Sequence, residues 1–434
     1  MQINSKLNFC GILVIFILLP ITLLAQTYQF ENGNWLIKKK FVRKTVYTQQ
    51  GRFTFEKPIR IDSIIDLKNK YCIPPFGDAH THNFDGTYKL KETISTYINE
   101  GIFYVQVLGN NGNGAKKARP VLGQSKLVDV TYANGLLTSS YGHGFLPYEP
   151  LEMGFYTAKQ QILYADSIKK SRLVENISYF FLDSLIDVDK KWKTILSFNP
   201  DNIKIVVLDA KNYQKKRKLE KLGDNGLSEE TAAYVVKKAH KEGLRVFAHI
   251  ETAEDARLCA RIGVDVLAHL PGYGWSGKLE DKEKFCMTKA DAKLFKKNNL
   301  AVIPTINLDY AVEFDSLGKM TTFEDRFINN LNYEKKALKW LIKYKVPIGL
   351  AADDYGKTVT KEIDYLLKYK HLSNKNIIYL YCTQTPQLIF PNRKIGEIKE
   401  DFEASFLVVD ENPFRKIETI KSLTYKVRQG VFIK

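Results

Sequence analysis

Polar and apolar residues alternate in four short stretches near the start of the chain: Asn34–Ile37, Val42–Thr48, Arg52–Phe55 and Ile59–Ile65. That two-residue period is the mark of half-buried strands. Ala404–Val409 and Tyr425–Ile433 repeat the style near the other end. The pattern predicts a small β-sandwich domain built from both ends of the chain, with residues 26–72 and 394–434 as its two parts. Residues 73–393 read differently. Apolar runs without alternation, as in parallel strands buried on both faces, recur at Cys72–Phe76 (running on into Asp78-Ala-His), Ile102–Leu108, Gly135–Ser139 and Asn202–Leu208. Four more follow at Arg245–Ile250, Val264–Leu270, Leu300–Thr305 and Val346–Ala352. Amphipathic helices fit between them. Ser228 caps one that carries Glu229 and Glu230 in its first turn and stops at Gly243, Thr252 and Asp255 open a second that ends at Gly263, and Thr288 with Asp291 starts a third. Alternating strands and helices predict an α/β fold, and eight such units a (β/α)8 TIM-type barrel, whose chemistry sits at the C-terminal strand ends.

Residues 1–25 stand apart from both patterns. Lys6 precedes an apolar run from Phe9 to Ala25, which Pro20 interrupts and Leu-Leu-Ala closes before Gln26. This is the layout of a secretory signal peptide and predicts export, to the periplasm or beyond; a retained membrane anchor is the competing reading. No later segment is apolar for long enough to insert stably in a membrane. Over all 434 residues, 44% are hydrophobic and 26% charged, which excludes wholesale disorder and a fibrous class. The excess of 65 Lys and Arg over 48 Asp and Glu gives a net charge of +17. Much of it is lysine scattered through helical stretches, so it reads as solvated faces. With no zinc-finger spacing and no arginine-rich arm, nucleic acid is not an expected partner. Cys72, Cys259, Cys286 and Cys382 lie far apart without a CxxC pair and read as isolated buried thiols.

Candidate chemistry collects where the strands end. His80, His82, His143, His249 and His269 all fall at or just past the end of an expected strand, whereas His240 and His371 belong to helical regions. His80 and His82 are two residues apart, so in an extended chain both imidazoles face one side and can grip one ion. Asp78 is placed to orient one of them. His249 and His269 each close an apolar strand and face the same mouth. Asp353 ends Val346–Ala352 and can ligate metal, accept a proton from bound water or cap the next helix; Asp354 reads as its structural neighbour. Lys204 lies inside Asn202-Ile-Lys-Ile-Val-Val-Leu, where a buried ammonium is costly unless it is paired or neutralised. It either snorkels to solvent or reacts with CO₂ to an anionic carbamate able to bridge two metals. His143, in the glycine-rich Tyr141-Gly-His-Gly, can stabilise an oxyanion, hold a substrate carboxylate or serve as a plain loop residue. Tyr273 and Trp275, just past His269, either shape specificity at the mouth or pack.

The order His-x-His, Lys, His, His, Asp on strands one, four, five, six and eight resembles the amidohydrolase superfamily. Pro75-Phe-Gly-Asp-Ala-His-Thr-His is similar to its first-strand motif, and Pro200-Asp-Asn-Ile-Lys-Ile to the bridging-lysine motif of its binuclear, dipeptidase-like members. The unit from His249 to His269, Ala351-Ala-Asp in place of the frequent Gly-Thr-Asp, and the tail Ile395-Gly-Glu-Ile-Lys-Glu extend the likeness over nearly the whole chain after residue 25. Two departures are Asp401 and Ala404-Ser405, where the tail's usual Gly and Ala-Asp would stand.

The resemblance implies two divalent metal ions, with zinc first and Mn, Fe or Co also suited. His80, His82 and Asp353 would hold one, His249 and His269 the other, and a carbamate on Lys204 would bridge them. It implies hydrolysis of an amide or peptide-like C–N bond in a small molecule or short peptide, by a metal-bridging hydroxide with Asp353 as general base and then acid. A mononuclear cyclic-amide hydrolase or deaminase, a lactonase, and a non-catalytic metal- or ligand-binding protein stay open as alternatives. An oligomer is compatible with every one of them.

Overall fold

The computed structural model describes residues 26–307 and 324–433. The expected signal peptide, residues 1–25, lies outside them. The first strands are β1 (Tyr28–Ile37), β2 (Lys40–Gln49), β3 (Arg52–Thr54), β4 (Ser63–Asp66) and β5 (Tyr71–Ile73). Next come β6 (Phe76–Thr81), β7 (Ile102–Val107), β8 (Asp129–Tyr132), β9 (Leu136–Thr138), β10 (Tyr179–Phe181) and β11 (Asn202–Val206). β12 (Arg245–His249), β13 (Val266–Leu267) and β14 (Ala301–Val302) follow, and β15 (Phe406–Val409), β16 (Leu423–Arg428) and β17 (Val431–Ile433) close the chain.

Both ends of the described chain join one eight-stranded sheet, in the order β17-β16-β15-β5-β1-β2-β3 with β4 on β1. Alternation gives it an apolar face of its own: Phe30, Trp35, Val46 and Phe53 from the first part pack with Phe406, Val408 and Val427 from the last. The ring centroids of Trp35 and Phe406 are 5.0 Å apart. The expected strand Cys72–Phe76 is two strands. Pro74 and Pro75 lack the N–H groups a ladder needs, and there the chain leaves this sheet as β5 and enters another as β6. Likewise Tyr425–Ile433 is a hairpin, turned by Gln429 and Gly430 at φ 47° and 74°.

The middle of the chain is a mixed α/β assembly of parallel strands. They form a six-stranded sheet, β10-β9-β11-β12-β13-β14, and a three-stranded sheet, β6-β7-β8. β8 and β10 are strands that the pattern of apolar runs does not predict. Asn134, left-handed at φ 60°, separates β8 from β9 and passes the chain from one sheet to the other. The expected strands at 264–270 and 300–305 pair over only two residues each, and Val346–Ala352 makes only an isolated bridge between Ile348 and Val302. Ladders therefore do not close the sheets into a ring. Individual hydrogen bonds still tie the last segment to both neighbours, from Gly349 N–H to Val302 at 3.0 Å and from Ala79 N–H to Leu350 at 3.0 Å.

The helices start and stop where the sequence places them. Ser228, Thr252 and Thr288 cap Glu229–Lys241, Ala253–Ile262 and Lys289–Lys297, the last by a full capping box with Asp291. Gly263 at φ 86° supplies the left-handed stop of the second. Arg393 and Arg428 both bind Asp129 at 2.7 Å, and Arg393 also binds Glu403 at 2.7 Å, which pins the terminal sheet to β8. All four cysteines from Cys72 onward are free and buried. Among the described residues no helix is long and apolar enough to cross a membrane.

Candidate metal centre

Strand alternation builds the first part of the site. On β6, Thr81 turns away to bond the Tyr97 hydroxyl at 3.0 Å, so His80 and His82 fall on the opposite side together. On β11, Ile203 and Ile205 pack into the core while Lys204 and Val206 line a cavity. Val206 is in register with His249 on β12, which brings that imidazole to the same level. His269 follows β13. Asp353 follows the Val346–Ala352 segment in a left-handed conformation (φ 51°), and its N–H bonds the carbonyl of His80 at 3.0 Å.

The side chains converge on one cavity of about 80 Å³, lined by His80, His82, His143, Lys204, His249, His269, Tyr273 and Asp353. Asp353 Oδ1 lies 3.0 Å from Nε2 of both His80 and His82, and Oδ2 lies 3.8 Å from His269 Nε2. Donor atoms of His80, His82 and Asp353 all fall within 4.8 Å of one another. In these three imidazoles the other ring nitrogen is tied to an oxygen: His82 Nδ1 to Gly109 at 2.8 Å, His80 Nδ1 to Ala268 at 3.4 Å, and His269 Nδ1 to Thr305 Oγ1 at 2.6 Å. Such bonds orient the rings and leave Nε2 aimed into the cavity.

Two further buried atoms have no hydrogen-bond partner, Lys204 Nζ and His249 Nε2. Leaving polar groups buried and unpaired is expensive, and a divalent cation would use both, the imidazole directly and the lysine once it carries an anionic oxygen. The donor set therefore fits divalent metal.

Electrostatics agree with that fit. Burial holds His80, His249 and His269 well below the ordinary imidazole range, so they are neutral and carry a lone pair at neutral pH. Burial is the largest single influence on His82 and works downward, but the hydrogen bond and charge of Asp353, together with the bond to the Gly109 carbonyl, overcome it and raise this imidazole. For Asp353 burial works upward, and His80, His82 and Lys204 together overcome it and keep the carboxylate ionised. Burial brings the Lys204 amine down to about 7, and His143 down to about 4.

His143 stacks on His249 with ring centroids 4.1 Å apart. Gly142 makes its loop possible: a Cβ there would stand 2.4 Å from Thr138 Oγ1 and 2.5 Å from the Asn225 carbonyl. Tyr273 stacks on His269 at 3.8 Å. Two expectations are corrected. Trp275 does not line the cavity; it is buried, bonds the Lys278 carbonyl and packs on Tyr333. Asp78 touches no imidazole, and instead accepts from the backbone N–H groups of His80 and Val359 and from the Tyr97 hydroxyl. Asp354 pairs with Lys361 at 2.7 Å, outside the site. His240 and His371 pair with Asp265 and Glu334 elsewhere. Sequence reasoning missed Tyr148 and Tyr355, which line the cavity, and Thr305, although Thr305 ends an expected strand as the histidines do.

No protein-family model and no curated protein matches the chain. Solved structures do match. A. niger ochratoxinase superposes with a TM-score of 0.71 at 15% identity, over 95% of this chain and 96% of that one. An Xaa-Pro dipeptidase with methionine bound in its active site gives 0.68 at 15% identity, over 94% and 100%. An amidohydrolase gives 0.65 at 18% identity, over 94% and 99%. At these identities the likeness establishes a shared fold along nearly the full length of each chain.

Proposed function

We propose that this chain is an exported metal-dependent hydrolase of C–N bonds, amide or peptide-like, of the amidohydrolase superfamily. The observation that carries the reading is the convergence of His80, His82, Lys204, His249, His269 and Asp353 on one cavity, with Lys204 Nζ and His249 Nε2 buried and unpartnered. The shared fold with an Xaa-Pro dipeptidase and an amidohydrolase supports C–N hydrolysis over the other reactions open to such a site. We read the two parallel sheets with the 346–352 segment as a (β/α)8 barrel spanning residues 73–393. The hydrogen bonds of Gly349 and Ala79 support that closure. The signal peptide at 1–25 and delivery to the periplasm or beyond belong to the same proposal.

His80, His82 and Asp353 would hold one divalent ion and His249 and His269 a second, with Lys204 between them. Such ions, if bound there, would supply Lewis acidity for activating water and polarising the scissile carbonyl. Lys204 is suited to its part because burial lowers its amine to about 7, so a substantial neutral fraction is present at neutral pH. Nitrogen can then add to CO₂, forming the N–C bond of a carbamate and releasing one proton. Asp353 takes the proton of the attacking water on a carboxylate oxygen and returns it to the leaving nitrogen. His143, neutral at pH 7, donates an N–H to the oxygen on which negative charge develops. Tyr273 flanks the substrate space.

A mononuclear cyclic-amide hydrolase or deaminase is the second reading. It is favoured by one observation: among the described residues the tight donor group is His80, His82 and Asp353 alone. Metal content per chain by elemental mass spectrometry separates the two. About two zinc per chain, falling in Lys204→Ala, supports the bridged centre. One zinc, indifferent to Lys204, selects the mononuclear enzyme. No metal, in protein refilled with zinc and never exposed to chelator, removes the hydrolase reading and leaves a non-catalytic binding protein. An amide and dipeptide screen then tests turnover.

A further inference from the structure

Thr305 is fully buried, β-branched, and held in the left-handed backbone region at φ 46°. Residues of this shape avoid that region because Cβ substituents crowd the backbone, and such strain persists only where the surroundings impose it. Here the strained conformation puts Oγ1 2.6 Å from His269 Nδ1. The next two residues are held in turn. Ile306 and Asn307 donate their backbone N–H groups to the two oxygens of buried Glu362, at 3.4 and 2.9 Å. The Asn307 side chain reaches on to the carbonyl of Ala352 at 2.9 Å. Ala352 precedes Asp353, itself left-handed, whose N–H bonds the His80 carbonyl. One hydrogen-bonded path thus joins the ends of three strand segments that each deliver a donor to the cavity.

We propose that Thr305 is the positioning residue for His269, and that Asn307 and Glu362 extend the same restraint to Asp353. The inference rests on the reading of His269 and Asp353 as metal ligands. A hydroxyl on Nδ1 fixes the plane of the ring and points the Nε2 lone pair into the cavity. A valine of the same outline would leave Nδ1 buried and unpaired and the ring free to turn. Residues that orient a ligand in this way change metal affinity by about 10- to 100-fold when lost.

The test uses the full chain loaded with zinc, as parent, Thr305→Val, Thr305→Ser and Thr305→Gly. Zinc equivalents and zinc affinity are measured by competition with a chromophoric chelator, and melting is followed with and without zinc. Thr305→Val is expected to weaken zinc binding by about tenfold or more, with Thr305→Ser restoring it to near the parent value. Thr305→Gly, which relieves the strain but lacks the hydroxyl, is expected to melt no lower than the parent in chelator and to lose zinc as the valine variant does. Asn307→Ala should weaken zinc binding in the same direction through Asp353. Thr305→Val or Thr305→Gly with parental zinc affinity, whatever its melting temperature, would show a merely structural residue and overturn the proposal. A parent that takes up no zinc would overturn the metal-centre reading instead, and the positioning role with it.

Discussion

Replacing Lys204 with methionine should stabilise the metal-free protein and weaken the metal-loaded one. The side chain is 2% exposed and its Nζ has no hydrogen-bond partner. A polar group buried without a partner costs about 1–3 kcal/mol, and methionine fills nearly the same space without that cost. Unfolding entropy of about 2.1 cal/mol/K per residue, over roughly 400 residues, converts each kcal/mol to a little over 1 °C. In chelator, Lys204→Met should therefore melt about 1–4 °C above the parent. Zinc reverses the order. At a hundredfold excess over Kd a bound ligand adds about 2.7 kcal/mol per site, and the variant, lacking the bridging group, should gain less than the parent. Scanning fluorimetry with and without zinc, beside elemental analysis, reads both effects. A variant that melts below the parent in chelator would refute the reasoning, because the buried amine would then be contributing to stability. A variant that binds as much zinc as the parent would remove Lys204 from the centre.

Three other outcomes are expected. Asp353→Asn should fold and lower kcat on the amide that the parent cleaves by about 10²- to 10⁴-fold; a retained kcat would take Asp353 out of the proton transfers. Burial raises Glu362 from 4.5 to about 8, so folding takes up a proton between those values. Its contribution is complete below pH 4.5 and lost as pH rises through 8, so the parent should lose stability between pH 5 and 9 relative to Glu362→Gln, and parallel melting profiles would refute this. Arg393→Ala strips Asp129 and Glu403 of a shared, partly solvated partner. It should cost about 1–3 kcal/mol by denaturant midpoint, with zinc content unchanged.

Local rules reached far into this chain. Period-two alternation marked the strands of the terminal sheet, because one face is buried and the other is not. Capping residues placed three helices, because the first turn of a helix must find acceptors for its own N–H groups. The strand-end position of His80, His82, His249 and His269 marked residues that line one cavity, and the presence of Lys204 inside an apolar run was itself a signal, since burying an amine has to be offset by something. Tertiary structure decided what these rules cannot see. Pairing partners lie far apart in sequence, so Pro74 and Pro75 became a crossing between sheets, and 346–352, with its single bridge, became an edge held by individual hydrogen bonds. Trp275 and Tyr273 are two residues apart and look alike in sequence, yet one packs on Tyr333 and the other on His269. Thr305 carried no mark beyond its place at the end of an expected strand. Its part depends on a left-handed turn and on the Nδ1 of a residue 36 positions earlier, and only the folded chain brings those together.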